Sequence, residues 1–229
     1  MSVLDRLHGG LVVSVQAEAG SALDSPAAIA MLARVAEQNG AAAVRIEGEE
    51  HLRAVRAAIG LPIVGIVKRA DEGFAPYITS TVADVETVLR TGAEIVAFDA
   101  TARARSDGST VATLCARVHA AGKLAMADCS SIVDGRLAIA AGCDLIATTL
   151  AGYTAGTRGR ELPALDIVGA LHSEHPFIVC EGGIASPDAA RAAFAAGARA
   201  IVVGTAISNV DALVRSFVAA CGLRGQHRP

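Results

Sequence analysis

Eight short apolar runs, separated by longer alanine-rich amphipathic stretches, limit the folds open to this chain of 229 residues. Each run is almost continuously apolar, as is typical of parallel strands buried on both faces. The stretches between the runs have the periodicity of helices that bury one face. We predict strands at Leu11–Gln16, Ala42–Ile46, Ile63–Val67, Ile95–Asp99, Leu124–Asp128, Leu145–Thr148, Phe177–Glu181 and Ala200–Gly204. We predict helices at Pro26–Asn39, Thr81–Thr91, Thr110–Ala121, Ile132–Ala141, Pro187–Ala196 and Val210–Ala220.

Eight such units predict a (β/α)8 barrel, since barrels of this kind run to roughly 250 residues. A weak repeat supports this, because a glycine follows a helix before each even-numbered strand, where it can end the helix. These residues are Gly40, Gly92, Gly142 and Gly197. The alternative is a doubly wound open sheet, which requires a Gly-x-Gly-x-x-Gly turn after the first strand, and residues 16–20 contain none. We expect one domain over residues 1–229, with a frayed polar tail at 222–229.

Composition argues against several classes of partner and compartment. The net charge is −3 and only 3% of residues are aromatic, so neither a basic face nor stacking platforms for nucleic acid are expected. The five cysteines form no Cys-x-x-Cys pair, which favours a reducing cytoplasm over a zinc or disulfide framework. We expect neither a signal peptide nor a membrane span, since the sequence shows no positively charged segment before an apolar core and no apolar stretch of ~18 residues.

Polar residues stand where the predicted strands end. In a (β/α)8 barrel these ends surround the active site, so we expect the side chains to converge on one cavity. The ends carry Gln16, Arg45, Lys68 with Arg69, Asp99, Asp128, Thr148 with Thr149, Glu181, and Gly204 with Thr205.

Glycine-rich loops after the last two strands indicate a phosphate site. Gly182 and Gly183 follow the seventh strand, and Gly204 with Thr205 follows the eighth. Glycine lets backbone N–H groups approach an anion closely, and these two loops hold phosphate in many barrels. The alternative is that both loops are merely tight turns.

Lys68 is one of only two lysines in the chain, and it ends an apolar strand. Positive charge from Arg69 and Arg45 should lower the pKa of its amine, which would let it act as a base or form a Schiff base. Glu181 lies opposite, four strands around the ring. An ion pair between Lys68 and Asp99 or Glu47 is an equal alternative from spacing alone.

None of the six histidines lies at the carboxyl end of a strand, so neither a histidine-based metal site nor a catalytic triad is expected. We read His51 and His119 as surface residues. We expect no metal and no cofactor.

Seven short motifs stand in the order found in one enzyme family. They are Ser14-Val-Gln16-Ala, Gly65-Ile-Val-Lys68-Arg69, Tyr77-Ile-Thr79, Phe98-Asp99-Ala-Thr101, Met126-Ala-Asp128-Cys-Ser130, Thr148-Thr149-Leu150-Ala-Gly152-Tyr153-Thr154 and Cys180-Glu181-Gly182-Gly183-Ile184. From about Leu11 to Ala220 the chain resembles the N-acylmannosamine-6-phosphate 2-epimerases, which are (β/α)8 barrels of the ribulose-phosphate-binding type.

The resemblance implies interconversion of N-acetylmannosamine 6-phosphate and N-acetylglucosamine 6-phosphate, in amino-sugar and sialic acid catabolism. It implies that Lys68 is the acid and base at C2 and that Glu181 assists. It also implies that Gln16, Arg45, Asp128, Thr148 and Tyr153 hold the sugar, and that Gly182, Gly183, Gly204 and Thr205 hold the phosphate. A homodimer is expected from the same resemblance.

One segment departs from the family pattern. Where the family often has Thr-Arg after the eighth strand, this chain has Ser208 and Asn209. We therefore expect backbone donors to carry the phosphate, or Arg158 or Arg160 to replace the cation. The competing functions are a Schiff-base aldolase acting on a sugar phosphate and a non-catalytic phosphosugar sensor.

Overall fold

Eight parallel strands close into a barrel in the computed structural model, which describes residues 1–222. Each strand pairs with its neighbours in chain order, and β8 returns to pair with β1. The predicted (β/α)8 barrel is confirmed, and the open doubly wound sheet is wrong. The strands are β1 (Gly10–Val15), β2 (Ala43–Glu47), β3 (Ile63–Ile66), β4 (Ile95–Asp99), β5 (Leu124–Asp128), β6 (Leu145–Ala147), β7 (Ile178–Glu181) and β8 (Ala200–Val203).

Helices alternate with the strands and cover the outside of the barrel. They are α1 (Val3–Leu7), α2 (Pro26–Gln38), α3 (Glu49–Ala58), α4 (Val82–Leu89), α5 (Val111–Ala120), α6 (Ile132–Ala140), α7 (Leu165–Leu171), α8 (Pro187–Ala195) and α9 (Val210–Ala220). Helices α1, α3 and α7 were not predicted, because they are short or rich in charge. The four repeat glycines follow α2, α4, α6 and α8 with φ between 83° and 107°, which confirms their predicted place at helix ends.

The core has two layers. Inward side chains of the strands fill the barrel, and Leu7 of α1 packs against its lower end with Val12 and Ala200. A second layer lies between the strands and the helices, where Ile46, Leu52 and Val96 are fully buried. Because the lower half of the barrel is filled by apolar side chains, polar groups gather at the upper end.

The predicted tail at 222–229 lies, except for Gly222, outside the described residues. The expectation of a single domain over 1–229 therefore stays a prediction for that part. None of the described helices is long and apolar enough to cross a membrane.

Candidate active site

A cavity of about 960 Å³ opens at the carboxyl ends of the strands. This volume is near the upper end of the ~300–1,000 Å³ typical of small-molecule sites. The predicted site residues that line it are Gln16, Arg45, Lys68, Tyr153, Glu181, Gly182, Gly183, Gly204 and Thr205. The remaining two, Asp128 and Thr148, are fully buried behind the cavity wall. Most of the polar strand ends therefore meet in one place, as the pattern indicated.

A buried charge network closes the floor of the cavity. Arg45 lies in the middle of β2 rather than at its end, and it donates to the carboxylate of Asp128 at 2.6 and 3.0 Å. Its Nη1 also donates to Glu181 Oε2 at 3.0 Å. These bonds join three strands that are far apart in the chain, so they fix the relative positions of β2, β5 and β7.

Thr149 completes this network. Its hydroxyl oxygen lies 2.7 Å from Asp128 Oδ1 and 2.8 Å from Glu181 Oε2. A hydroxyl has a single proton, so it donates to one carboxyl group and accepts a proton from the other only if that group is protonated. Burial raises the pKa of Glu181, while the charge of Arg45 opposes that rise. Glu181 therefore binds a proton more readily than an exposed glutamate does.

Arg45 remains charged despite its burial. Burial alone would lower its pKa, but the carboxylates of Asp128 and Glu181 outweigh this, so the pKa of Arg45 is raised. The guanidinium bonds to these carboxylates through Nη1 and Nη2. Its positive charge lowers the pKa of Lys68, an effect that the two carboxylates oppose.

Lys68 follows the end of β3 by two residues and projects into the cavity. The side chain is exposed to the cavity, yet the surrounding walls remove enough water to lower the pKa of its amine, and the charge of Arg45 lowers it further. Arg69 does not contribute as predicted, because its guanidinium turns toward Asp71 at 3.1 Å and Asp84 at 3.7 Å. The expected direction of the shift is confirmed, but burial rather than Arg69 is its main cause.

The ion pair considered for Lys68 is not formed within residues 1–222. Asp99 instead binds Arg103 at 2.5 Å. Glu47 accepts the backbone N–H of Lys68, at 3.2 Å, rather than its ammonium. The amine is therefore left available to a ligand in the cavity.

Two glycine loops form one wall of the cavity. Gly182 and Gly183 have φ of 99° and 73°, a region that favours glycine, and an added Cβ at Gly183 would lie 2.3 Å from the Cβ of Leu162. The backbone N–H groups of residues 182–185 and 204–206 bond to no acceptor within the described chain. Such a group of free donors is suited to an oxyanion ligand.

No cation replaces the family arginine beside these loops in the described part of the chain. Arg160 pairs with Asp166, and neither it nor Arg158 lines the cavity. Ser208 donates to the carbonyl oxygens of Ser14 and Gly204, and Asn209 caps α9. The expectation that Arg158 or Arg160 reaches in has no support, and backbone donors are what the loops offer.

The remaining predicted residues occupy different places. Gln16 lies just after β1 and donates to the hydroxyl of Ser14 at 2.7 Å. Tyr153 is 60% exposed at the rim. Thr148 accepts from the backbone N–H of Glu181 and donates to its carbonyl oxygen, so its hydroxyl is occupied in the barrel wall. Its neighbour Thr149 takes the place in the cavity that the sequence suggested for Thr148.

Glu47 and Tyr77 also line the cavity and were not selected from the sequence. Burial raises the pKa of Tyr77, and the charge of Asp128 adds to this. The period of two along a strand could have indicated Glu47, since it shares a face with Arg45 once β2 is extended by one residue.

Within residues 1–222, no group of three or more histidine, cysteine, aspartate or glutamate side chains is placed to hold a metal ion.

Fold and cavity together define a (β/α)8 barrel with an unpaired lysine amine and a group of free backbone N–H donors at the upper end. Residues 29–222 match the family model described as "Putative N-acetylmannosamine-6-phosphate epimerase". The chain belongs to this NanE family.

Curated relatives agree over nearly the whole chain. A protein of Salmonella arizonae is 43% identical over 217 residues, which cover 92% of this chain and 93% of the relative. A protein of Thermosynechococcus vestitus is 43% identical over 223 residues, which cover 96% of each chain. Both carry the name "Putative N-acetylmannosamine-6-phosphate 2-epimerase".

A solved structure shows the same architecture. The N-acetylmannosamine-6-phosphate 2-epimerase from Clostridium perfringens superposes with a TM-score of 0.92 at 34% identity, covering 96% of both chains. The likeness therefore extends over the whole barrel as well as over the sequence motifs.

Proposed function

We propose that the protein interconverts N-acetylmannosamine 6-phosphate and N-acetylglucosamine 6-phosphate, which differ only in configuration at C2. The observation that carries this proposal is an unpaired lysine amine with a lowered pKa, Lys68, in the same cavity as a cradle of free backbone N–H groups. The cradle suits the phosphate, and the amine suits removal of a proton from carbon. The names of the relatives agree with this substrate.

The chemistry begins with the open-chain sugar, in which C2 lies next to the C1 aldehyde. The neutral amine of Lys68 takes the C2 proton, and the electron pair spreads onto the aldehyde oxygen as an enolate. The positive charge of Arg45 stabilises that oxygen. Lys68 keeps the abstracted proton as its ammonium. A proton from that ammonium, once the enolate has turned, or from Glu181 then returns to the opposite face of C2 and inverts the centre.

Two residues from the sequence analysis take indirect roles in this proposal. Asp128 holds Arg45 and Thr149 from behind the cavity wall, so it positions groups rather than touching the sugar. Thr148 fixes Glu181 through its backbone. Gln16 and Tyr153 face the cavity and remain proposed contacts of the sugar, as Gly182, Gly183, Gly204 and Thr205 remain for the phosphate.

Conversion of one sugar into the other tests the proposal directly. Purified protein with N-acetylmannosamine 6-phosphate should yield the proton NMR signals of N-acetylglucosamine 6-phosphate until both are present at equilibrium. Tight binding without conversion would contradict the proposal and favour a sensor. A borohydride-trapped adduct on Lys68, with carbon–carbon cleavage, would favour the aldolase.

We further propose a homodimer that works in the cytoplasm. Support for the dimer comes from α9, where Val214 and Phe217 are 54% and 72% exposed, and two-fold dimers are the commonest oligomers. Support for the compartment comes from five free cysteines and a phosphorylated substrate. Light scattering coupled to size exclusion should give twice the chain mass of 23.1 kDa, and a monomer would contradict the dimer.

A further inference from the structure

An unusual backbone conformation lies beside Lys68. Thr79 has a φ of +41°, and it is the sole non-glycine residue of 1–222 with positive φ. Its side chain is completely buried. A β-branched residue avoids this region because its side chain crowds the backbone, and strain of this kind persists where surrounding contacts hold it, often at active sites.

The contacts that hold Thr79 are made to the residue before Lys68. The N–H of Thr79 donates to the carbonyl oxygen of Val67 at 2.7 Å, and its Oγ1 accepts from the N–H of Val67 at 3.1 Å. Regular strand pairing has already ended here, since β3 stops at Ile66 and a single antiparallel bridge joins Lys68 to Ile78. The left-handed conformation lets Thr79 bond to both the N–H and the carbonyl oxygen of Val67.

Glu47 holds the next residue from the other side. Its Oε1 accepts the backbone N–H of Lys68 at 3.2 Å, and the following N–H, of Arg69, donates to the carbonyl oxygen of Tyr77 at 2.9 Å. Three consecutive N–H groups are thus fixed. Beyond them residues 70–75 form a largely exposed loop.

We propose that Thr79 and Glu47 are positioning residues that hold Lys68 for proton transfer, an inference that rests on the proposed epimerase function. A lysine side chain is long and flexible, and a base must come within hydrogen-bond reach of the proton that it removes. Beyond the end of β3, these two side chains and the backbone bonds to Tyr77 and Thr79 hold the backbone of Lys68 beside the exposed loop.

Thr79→Val is the sharpest test, because valine keeps the shape of threonine but loses the oxygen that accepts from Val67. We expect kcat to fall about 10- to 100-fold, with KM nearly unchanged, since small misplacements of reacting groups have effects of this size. Thr79→Ser keeps the hydroxyl and should recover most of the rate. Thr91→Val is the matched control, because the buried hydroxyl of Thr91 donates to Val88 at the end of α4, away from the cavity.

The pH dependence separates positioning from general support of the fold. In Thr79→Val, Lys68 moves away from the cavity walls and from Arg45, which lower its pKa. The rise of kcat with pH should therefore shift to higher pH. Glu47→Gln keeps an accepting oxygen but removes a negative charge that raises the pKa of Lys68, so the rise should shift to lower pH. Glu47→Leu loses the acceptor, and its kcat should fall.

The outcomes distinguish this inference from the proposed function. If the unaltered protein does not convert the sugar, the epimerase proposal fails whatever the variants do. If it does, and Thr79→Val matches Thr91→Val in kcat and pH profile, the inference is overturned. Should Thr79→Val not fold, a kcat of Glu47→Leu equal to that of Glu47→Gln would overturn it as well, since only leucine removes the acceptor.

Discussion

At the scale of single residues, the surroundings of Lys68 determine what its amine can do. An ordinary lysine is almost fully protonated near neutral pH and cannot accept a proton. Here the cavity walls and Arg45 lower its pKa, and no carboxylate of the described chain pairs with its ammonium. These surroundings suit the acid–base role that we propose for Lys68.

Replacing Lys68 by alanine should remove most of the activity. A positioned acid–base group contributes about 10²- to 10⁴-fold, so kcat should fall by that range while the fold is retained. Steady-state assays of epimer formation measure the loss. Lys123→Ala, which removes the other lysine, outside the cavity, serves as the control. A normal rate for Lys68→Ala would mean that the residue is structural.

The rate should also rise with pH as Lys68 loses its proton. The neutral amine is the active form, so a lowered pKa places the midpoint of this rise below the usual value for lysine. A profile of kcat against pH, on a protein whose circular dichroism is constant over the range, gives the midpoint. A midpoint at or above the ordinary lysine value would contradict the surroundings described for the amine.

At the scale of secondary-structure elements, buried ion pairs and glycine loops join distant strands into one site. Arg45 connects β2 to β5 and β7 through bonds that are almost completely hidden from water. The loops after β7 and β8 supply backbone donors without a cationic side chain of their own.

Removing the guanidinium should cost stability as well as activity. In Arg45→Met the carboxylates of Asp128 and Glu181 lose their buried partner, and breaking such a pair costs about 3–5 kcal/mol of the free energy of unfolding. Urea unfolding measures this difference. Arg53→Ala breaks a surface pair with Glu49 and should cost under about 0.5 kcal/mol. Equal small losses in both variants would show that the network is not stabilising.

The cradle should fail when Gly183 acquires a side chain. Gly183→Ala places a Cβ 2.3 Å from that of Leu162 in a backbone region that alanine avoids, so the loop must move. We expect KM for the sugar phosphate to rise about tenfold or more, since the loop donors no longer match the phosphate. Gly169→Ala, in α7 with open space around it, is the control. An unchanged KM would place the phosphate elsewhere.

At the scale of the whole molecule, the pattern that predicts the barrel is periodic and local, which is why the sequence revealed it. Continuous apolar runs and glycine helix stops depend on neighbours in the chain, and the ends of the predicted strands match the observed ones within one residue. The convergence of Gln16, Lys68 and Glu181 follows from the barrel alone.

Features set by side-chain direction were harder to predict. Thr148 and Thr149 are adjacent, and only the geometry of β6 shows that the second faces the cavity. Arg69 was expected to lower the pKa of Lys68, but its guanidinium pairs with Asp71 and Asp84 instead. The left-handed Thr79 arises where the chain folds back on Val67, a contact that no local pattern encodes.

Turnover in deuterated water is the sharpest test of proton transfer at C2 of the sugar. N-Acetylglucosamine 6-phosphate formed there from N-acetylmannosamine 6-phosphate should carry deuterium at C2, seen as loss of the C2 proton signal and a mass increase of one unit. Lys68→Ala should show neither conversion nor label. Conversion by the unaltered protein without any deuterium at C2 would contradict the account.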